Sequence, residues 1–84
     1  MFTCKVCGFD KLEWPQYLED DAPNFVICDC CGFQSGYDDL DQGLTFEEYL
    51  DKWIKRGATW VDKSKKPKNW SLEKQLKNIK KLNI

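Results

Sequence analysis

Cys28-Asp29-Cys30-Cys31-Gly32-Phe33 carries the same pattern as Cys4-Lys5-Val6-Cys7-Gly8-Phe9: Cys-x-x-Cys-Gly-Phe, written twice with 20 residues between Cys7 and Cys28. Two thiolates three positions apart in a tight turn can grip one soft ion at about 2.3 Å per sulfur. A glycine after the second cysteine tolerates φ > 0, so backbone N–H groups can turn toward the sulfurs. Such donors spread the negative charge of four thiolates. Two turns of this kind can meet and complete a tetrahedron, and the spacing therefore predicts one structural zinc ion on Cys4, Cys7, Cys28 and Cys31. A closed set of four cysteines leaves no position for water or substrate, so metal-assisted hydrolysis is not expected.

Working outward, Cys30 sits inside the second turn. Pairing Cys28 with Cys31 matches the first turn's spacing and places Gly32 where Gly8 stands, whereas using Cys30 gives a poorer ligand pair. Cys30 is expected to be a free thiol, with a reactive role the sharper alternative; an anionic thiolate cluster alongside disfavours a further thiolate. Without metal, the same residues read as buried or disulfide-bonded cysteines. Disulfides fit poorly, because the cysteine count of five is odd. The chain also begins directly on Met1-Phe2-Thr3-Cys4, with no visible secretory signal, so a reducing cytoplasmic setting is expected. No apolar run approaches the roughly 18 residues of a membrane span.

The chain has 84 residues and no histidine. That excludes imidazole chemistry and makes any soft-metal site all-cysteine. A chain this short needs a staple, and one domain over residues 1–84 is expected. Net charge of -1 hides an asymmetry: residues 1–51 hold two bases against twelve acids, and residues 52–84 hold eleven bases against two acids. The halves are expected to pack and neutralise one another; the alternative is a basic surface for nucleic acid or an acidic one for a basic partner.

Residues 1–37 are expected to form a β-rich metal module. Asn24-Phe25-Val26-Ile27 leads into the second cysteine pair and Phe33-Gln34-Ser35-Gly36-Tyr37 leads out, which predicts a β-hairpin. Residues 9–23, with prolines and acids, read as a loop. After an acidic turn at 37–43, Thr45 and Glu48 form a capping box. Phe46, Tyr49, Leu50, Trp53 and Ile54 then make an apolar helical stripe. Early acids, late bases and Gly57 complete the signals of a helix. Residues 58–61 suggest a short strand. Lys63-Ser64-Lys65-Lys66-Pro67-Lys68 is a basic connector, and residues 71–82 predict a second helix with Leu72, Leu76, Ile79 and Leu82 inward. The expected fold class is a small α+β metal-bound domain: a zinc-ribbon-like β-hairpin module (1–37) followed by two α-helices (44–84) packed on it.

Two resemblances bear on this. The paired Cys-x-x-Cys-Gly turns resemble the rubredoxin iron site, which makes iron, with electron transfer, the competing metal; length and the two C-terminal helices depart from that family. Ile27-Cys28-Asp29-Cys30-Cys31-Gly32-Phe33, Gly36-Tyr37-Asp38-Asp39, Phe46-Glu47-Glu48-Tyr49, Trp53-Ile54, Lys66-Pro67-Lys68-Asn69-Trp70 and Gln75-Leu76-Lys77-Asn78-Ile79 resemble the small bacterial cysteine-rich proteins named for a Cys-Pro-Cys-Cys motif. Asp29 stands where that motif has proline. The resemblance implies a metal-binding protein without assigned activity.

Asp38, Asp39 and Asp41 lack calcium-loop spacing and read as a solvated turn. Of the four tryptophans, Trp53 falls on the helix stripe, while Trp60 and Trp70 are core residues or exposed anchors. Three functions follow. The first is a non-enzymatic module that binds an unidentified protein partner, with zinc holding the scaffold. The second is a nucleic-acid binder using Lys63, Lys65, Lys66, Lys68, Lys77, Lys80 and Lys81 with Trp60 or Trp70 stacking on bases; the acidic first half disfavours it. An enzyme or electron carrier comes last.

Overall fold

In the computed structural model, which describes residues 1–80, both Cys-x-x-Cys-Gly-Phe stretches close the same turn. In the first, the Gly8 N–H donates to the Cys4 carbonyl at 3.0 Å and the Cys4 N–H to the Phe9 carbonyl at 2.7 Å. In the second, the Gly32 N–H donates to Cys28 and the Cys28 N–H to Phe33, both at 3.0 Å. Gly8 and Gly32 stand at φ +84° and +82°, where a Cβ costs about 1–2 kcal/mol. The repeat in sequence is a repeat in backbone.

The expected β-hairpin is absent, and with it the zinc-ribbon-like α+β class. Among the described residues there is no strand, only isolated antiparallel bridges joining Phe2 to Leu12, Tyr17 to Pro23 and Ile27 to Gln34. The cause is local. Phe25 takes φ +55° and Gly36 φ +93°, so neither arm stays extended for more than a residue or two beyond the Ile27–Gln34 bridge. Phe25 and Ile27 are also 57% and 53% exposed, so the run offers no buried sheet face. What remains is a mainly helical fold wrapped on a cysteine cluster.

The acidic turn is a single π-helical turn, Tyr37–Asp41. Its acids cap it: Asp38 accepts from the Gln34 N–H at 2.8 Å, and Asp39 from the Gly36 N–H at 2.6 Å. Asp39 also accepts the Tyr17 hydroxyl. Burial opposes its ionisation, yet these hydrogen bonds prevail and hold its carboxyl below the usual range.

Helix α1 spans Phe46–Lys55. Both arms of its capping box are made: the Glu48 N–H donates to Thr45 Oγ1 at 3.0 Å and the Thr45 N–H to Glu48 Oε1 at 2.9 Å. Thr45→Ala is expected to cost about 1 kcal/mol, read as a lower urea midpoint with an unchanged slope. Gly57, at φ +101°, stops the helix as the Ala58 N–H bonds back to the Trp53 carbonyl at 2.9 Å. Trp53 is fully buried, but Ile54 is 40% exposed and stands at the edge of the stripe.

No strand follows. The chain instead lies along the second cysteine turn, with the Val61 N–H bonded to the Cys30 carbonyl at 3.1 Å and the Asp62 N–H to the Asp29 carbonyl at 2.8 Å. A 3-10 turn, Lys63–Lys65, leads to helix α2, Leu72–Lys80, in which Leu76 is buried. The expected end of that helix, with Lys81 and Leu82, lies outside the described residues. No helix among those described is long and apolar enough to cross a membrane.

The expected neutralisation between halves is barely expressed as ion pairs. Among the described residues, Lys65–Asp29 at 2.9 Å joins them, while Lys55–Asp51 at 2.8 Å is local to α1. One aromatic edge also joins them, Phe9 with Trp60, and further edges lie within each half. Phe9 meets Trp60 at 5.4 Å between ring centroids, and Trp60 meets Trp70 at 5.6 Å. Phe33 meets Phe46 at 5.6 Å and Tyr49 at 5.2 Å. Each turn's phenylalanine is thus the socket for a later aromatic, in the edge-to-face geometry such rings prefer.

Candidate metal centre

The two turns bring Cys4, Cys7, Cys28 and Cys31 together with every Sγ within 4.8 Å of the others and all four residues fully buried. Contacts across the turns are 3.8 Å for Cys4–Cys31 and 3.7 Å for Cys7–Cys28. A tetrahedron with 2.3 Å metal–sulfur bonds has edges of about 3.8 Å. The sulfurs therefore sit at ligand spacing, well beyond the roughly 2.05 Å of a disulfide. Four buried cysteines are positioned to bind a metal ion.

Hydrogen-bond donors surround the sulfurs. The Val6 N–H points at Cys4 Sγ and the Cys30 N–H at Cys28 Sγ, both at 3.4 Å, the same contact in each turn. Gln16 Nε2 donates to Cys4 Sγ at 3.2 Å, while Gln16 Oε1 accepts from the Lys5 N–H at 2.8 Å. Gln16 is 3% exposed, and its amide is fully engaged between the first turn and its sulfur.

Each helix caps one turn at the carbonyl of its second cysteine. From α1, the Tyr49 hydroxyl donates to the Cys31 carbonyl at 3.0 Å, with Arg56 Nη2 also aimed at it from 3.4 Å. From α2, Gln75 Nε2 donates to the Cys7 carbonyl at 3.1 Å and Asn78 Nδ2 to the Gly8 carbonyl at 2.8 Å. Gln75 Oε1 accepts from Trp70 Nε1 at 2.8 Å, which fixes the amide's orientation. Cys30, fully buried, is outside the four-sulfur group and lies 3.4 Å from Gln75 Nε2.

The close approach of α2 depends on Gly8: a Cβ there would stand 2.3 Å from the Gln75 carbonyl oxygen. Gly43 has φ +69° but nothing within 4 Å of such a Cβ. Gly43→Ala should therefore cost only the conformational term, about 1 kcal/mol. Gly8→Ala adds a backbone collision and should cost about twice that or more, read in the same urea titration. Equal losses would show that α2 does not rest on the first turn.

Without metal the cluster resists full ionisation. Hydrogen bonds from Cys28, Cys31 and Cys7 hold the Cys4 thiol well below its ordinary value. Those from Cys28, Cys4 and Cys7, with burial, push Cys31 far up. A divalent ion must therefore displace protons to gain four thiolates, and acid competes with it. Metal retention should fall steeply with falling pH, by more than the tenfold per pH unit of a single proton; dialysis at stepped pH followed by metal analysis measures it.

Of the other expected site residues, several are engaged within the fold. Trp60 is 5% exposed, its Nε1 lacks a hydrogen-bond partner among the described residues, and Trp70 is half-buried against it. Trp60 is therefore not free to stack on a nucleobase from the surface. Lys66 lies over the Trp70 ring at 5.2 Å and Lys65 is bound to Asp29. The roles of Gln16, Gln75 and Asn78 went unmarked by sequence reasoning, the last two being noted only within a resemblance: each is a common polar residue whose partners lie 5 to 70 positions away.

Fold and site together define a small cysteine-rich protein, mostly helical, with a buried four-cysteine centre. The chain is 31% identical over 103 residues to the uncharacterised protein YoaQ of Bacillus subtilis (strain 168), an alignment covering 99% of this chain and 87% of that one, and it belongs to the same family. No family model matches the chain, and no solved structure matches it.

Proposed function

We propose that this protein is a non-enzymatic protein-interaction module whose scaffold is held by one structural zinc ion on Cys4, Cys7, Cys28 and Cys31. The observation that carries it is the closed site: all four cysteines are fully buried with their sulfurs at ligand spacing, so a metal there would have no face open to a substrate. A closed tetrathiolate organises the chain rather than performing chemistry. Its peripheral donors are backbone and amide N–H groups, which suit the dianionic charge of zinc with four thiolates. Thiols kept free in this way suit a reducing compartment, the cytoplasm. Residues 1–37 and 44–80 act as one unit, since each helix caps one cysteine turn.

The test has two parts. Protein purified under reducing conditions should be colourless, with one zinc per chain; red protein with iron absorption overturns the zinc assignment. Affinity capture from the source cell should yield a stoichiometric protein partner with wild-type chain and not with Cys28→Ser. No stoichiometric partner overturns the interaction assignment.

A further inference from the structure

Along one side of the molecule lie four adjoining shallow depressions that together make a groove. One, about 820 Å³, is lined by Phe2, Pro15, Tyr17, Leu18, Glu19 and Asp20. A second depression shares Phe2, Pro15 and Tyr17 with it and adds Lys5. A third shares Lys5 and Tyr17 and adds Asp21, Asp39 and Phe46, and a fourth continues from Asp39 and Phe46 to Leu44 and Glu47. Shared lining residues place the four side by side from the N-terminal bridge, past Tyr17, to the start of α1. Tyr17 holds the middle of the groove, bonded through its hydroxyl to Asp39 and packed on Phe46 at 6.2 Å.

The lining has two chemical characters. Apolar side chains make part of the lining, and Phe2 and Leu18 remain 44% and 46% exposed. The walls carry five acids, Glu19, Asp20, Asp21, Asp39 and Glu47, against one base, Lys5. Neither ion pair seen among the described residues involves any of these five acids. Exposed apolar side chains bordered by charge of one sign can seat a partner segment, and a negative groove selects and steers a positive partner.

Resting on the interaction-module reading above, we propose that this groove is the docking site for a basic segment of the partner protein. That segment presents lysine or arginine to the acids and aliphatic side chains to the apolar lining. The apolar lining supplies contact area and the acids supply register and sign, the usual division in peptide recognition.

Fluorescence anisotropy with three labelled twelve-residue peptides tests this on the zinc-loaded full chain. One alternates lysine and leucine with serine, one has glutamate for lysine, and one has serine for leucine. The lysine–leucine peptide should bind at least tenfold tighter than either control. Glu19→Lys with Asp20→Lys should weaken it at least tenfold, and Leu18→Ser several-fold, with zinc content and circular dichroism unchanged. Equal binding by the charge-reversed variant overturns the proposal, as does equal binding of all three peptides. A concentration-dependent dimer in sedimentation that the charge reversal abolishes also overturns it, by making a second copy the occupant. In the source cell, a photo-cross-linker at Leu18 should capture a protein through a lysine- or arginine-rich segment. Capture from Val61, which is 61% exposed and outside the groove, but not from Leu18 overturns the groove and leaves the interaction module standing. Capture from neither overturns both.

Discussion

Cys28→Ser is expected to abolish metal binding and the cooperative fold together. Cys4, Cys7, Cys28, Cys30 and Cys31 make up nearly half of the buried cluster at the centre of the molecule, so losing the metal leaves the core without its centre. Structural tetrathiolate binding contributes on the order of 10 kcal/mol, comparable to the whole net stability of a typical domain, about 5–15 kcal/mol. A serine hydroxyl is a poor soft-metal ligand, and it would sit unpaired beside three buried thiols. The variant should therefore show no stoichiometric metal and no urea transition. Cys30→Ser is the control: it removes a buried sulfur outside the ligand group and should keep its metal while losing about 1–3 kcal/mol. If Cys28→Ser holds metal one-to-one and melts like the parent, the ligand assignment is wrong.

Trp53→Ala should be the most damaging change away from sulfur. The side chain is fully buried on α1, meets Trp70 at 6.3 Å and donates its Nε1–H to the Thr59 carbonyl at 2.8 Å. Removing it leaves a cavity and an unpaired carbonyl, a loss of about 3–5 kcal/mol. Trp53→Phe keeps most of the volume and should lose about half as much, through the missing hydrogen bond and imperfect packing. Because Tyr49 on the same helix and Arg56 at its C-terminal cap both reach the Cys31 carbonyl, the alanine variant should also give up metal to a competing chelator faster than the parent. Unchanged stability in a urea melt would mean that α1 is not anchored through Trp53.

The features legible in sequence were those whose cause is local. Cys-x-x-Cys-Gly-Phe specifies its own turn, because ligand spacing and positive φ lie within six residues. Thr45 with Glu48, and Gly57, mark the ends of α1 for the same reason. The hairpin was misread because an apolar, β-branched run says nothing of whether its neighbours stay extended; Phe25 and Gly36 turn away within two residues of the bridge. Charge balance was a poor guide to contact: among the described residues one ion pair, Lys65–Asp29, links distant parts of the two halves, and Phe9 meets Trp60 edge to face across them. Gln16 and Gln75 were invisible because a glutamine in a proline-flanked loop, or on a thin helical stripe, looks solvated until the turn it caps is in place.

Native mass spectrometry of the reduced chain, with metal analysis before and after strong chelation, bears most directly on the centre. One zinc per chain and a narrow charge-state envelope that broadens once zinc is stripped is the predicted result. A metal-free chain that keeps its compact envelope in chelator would contradict it.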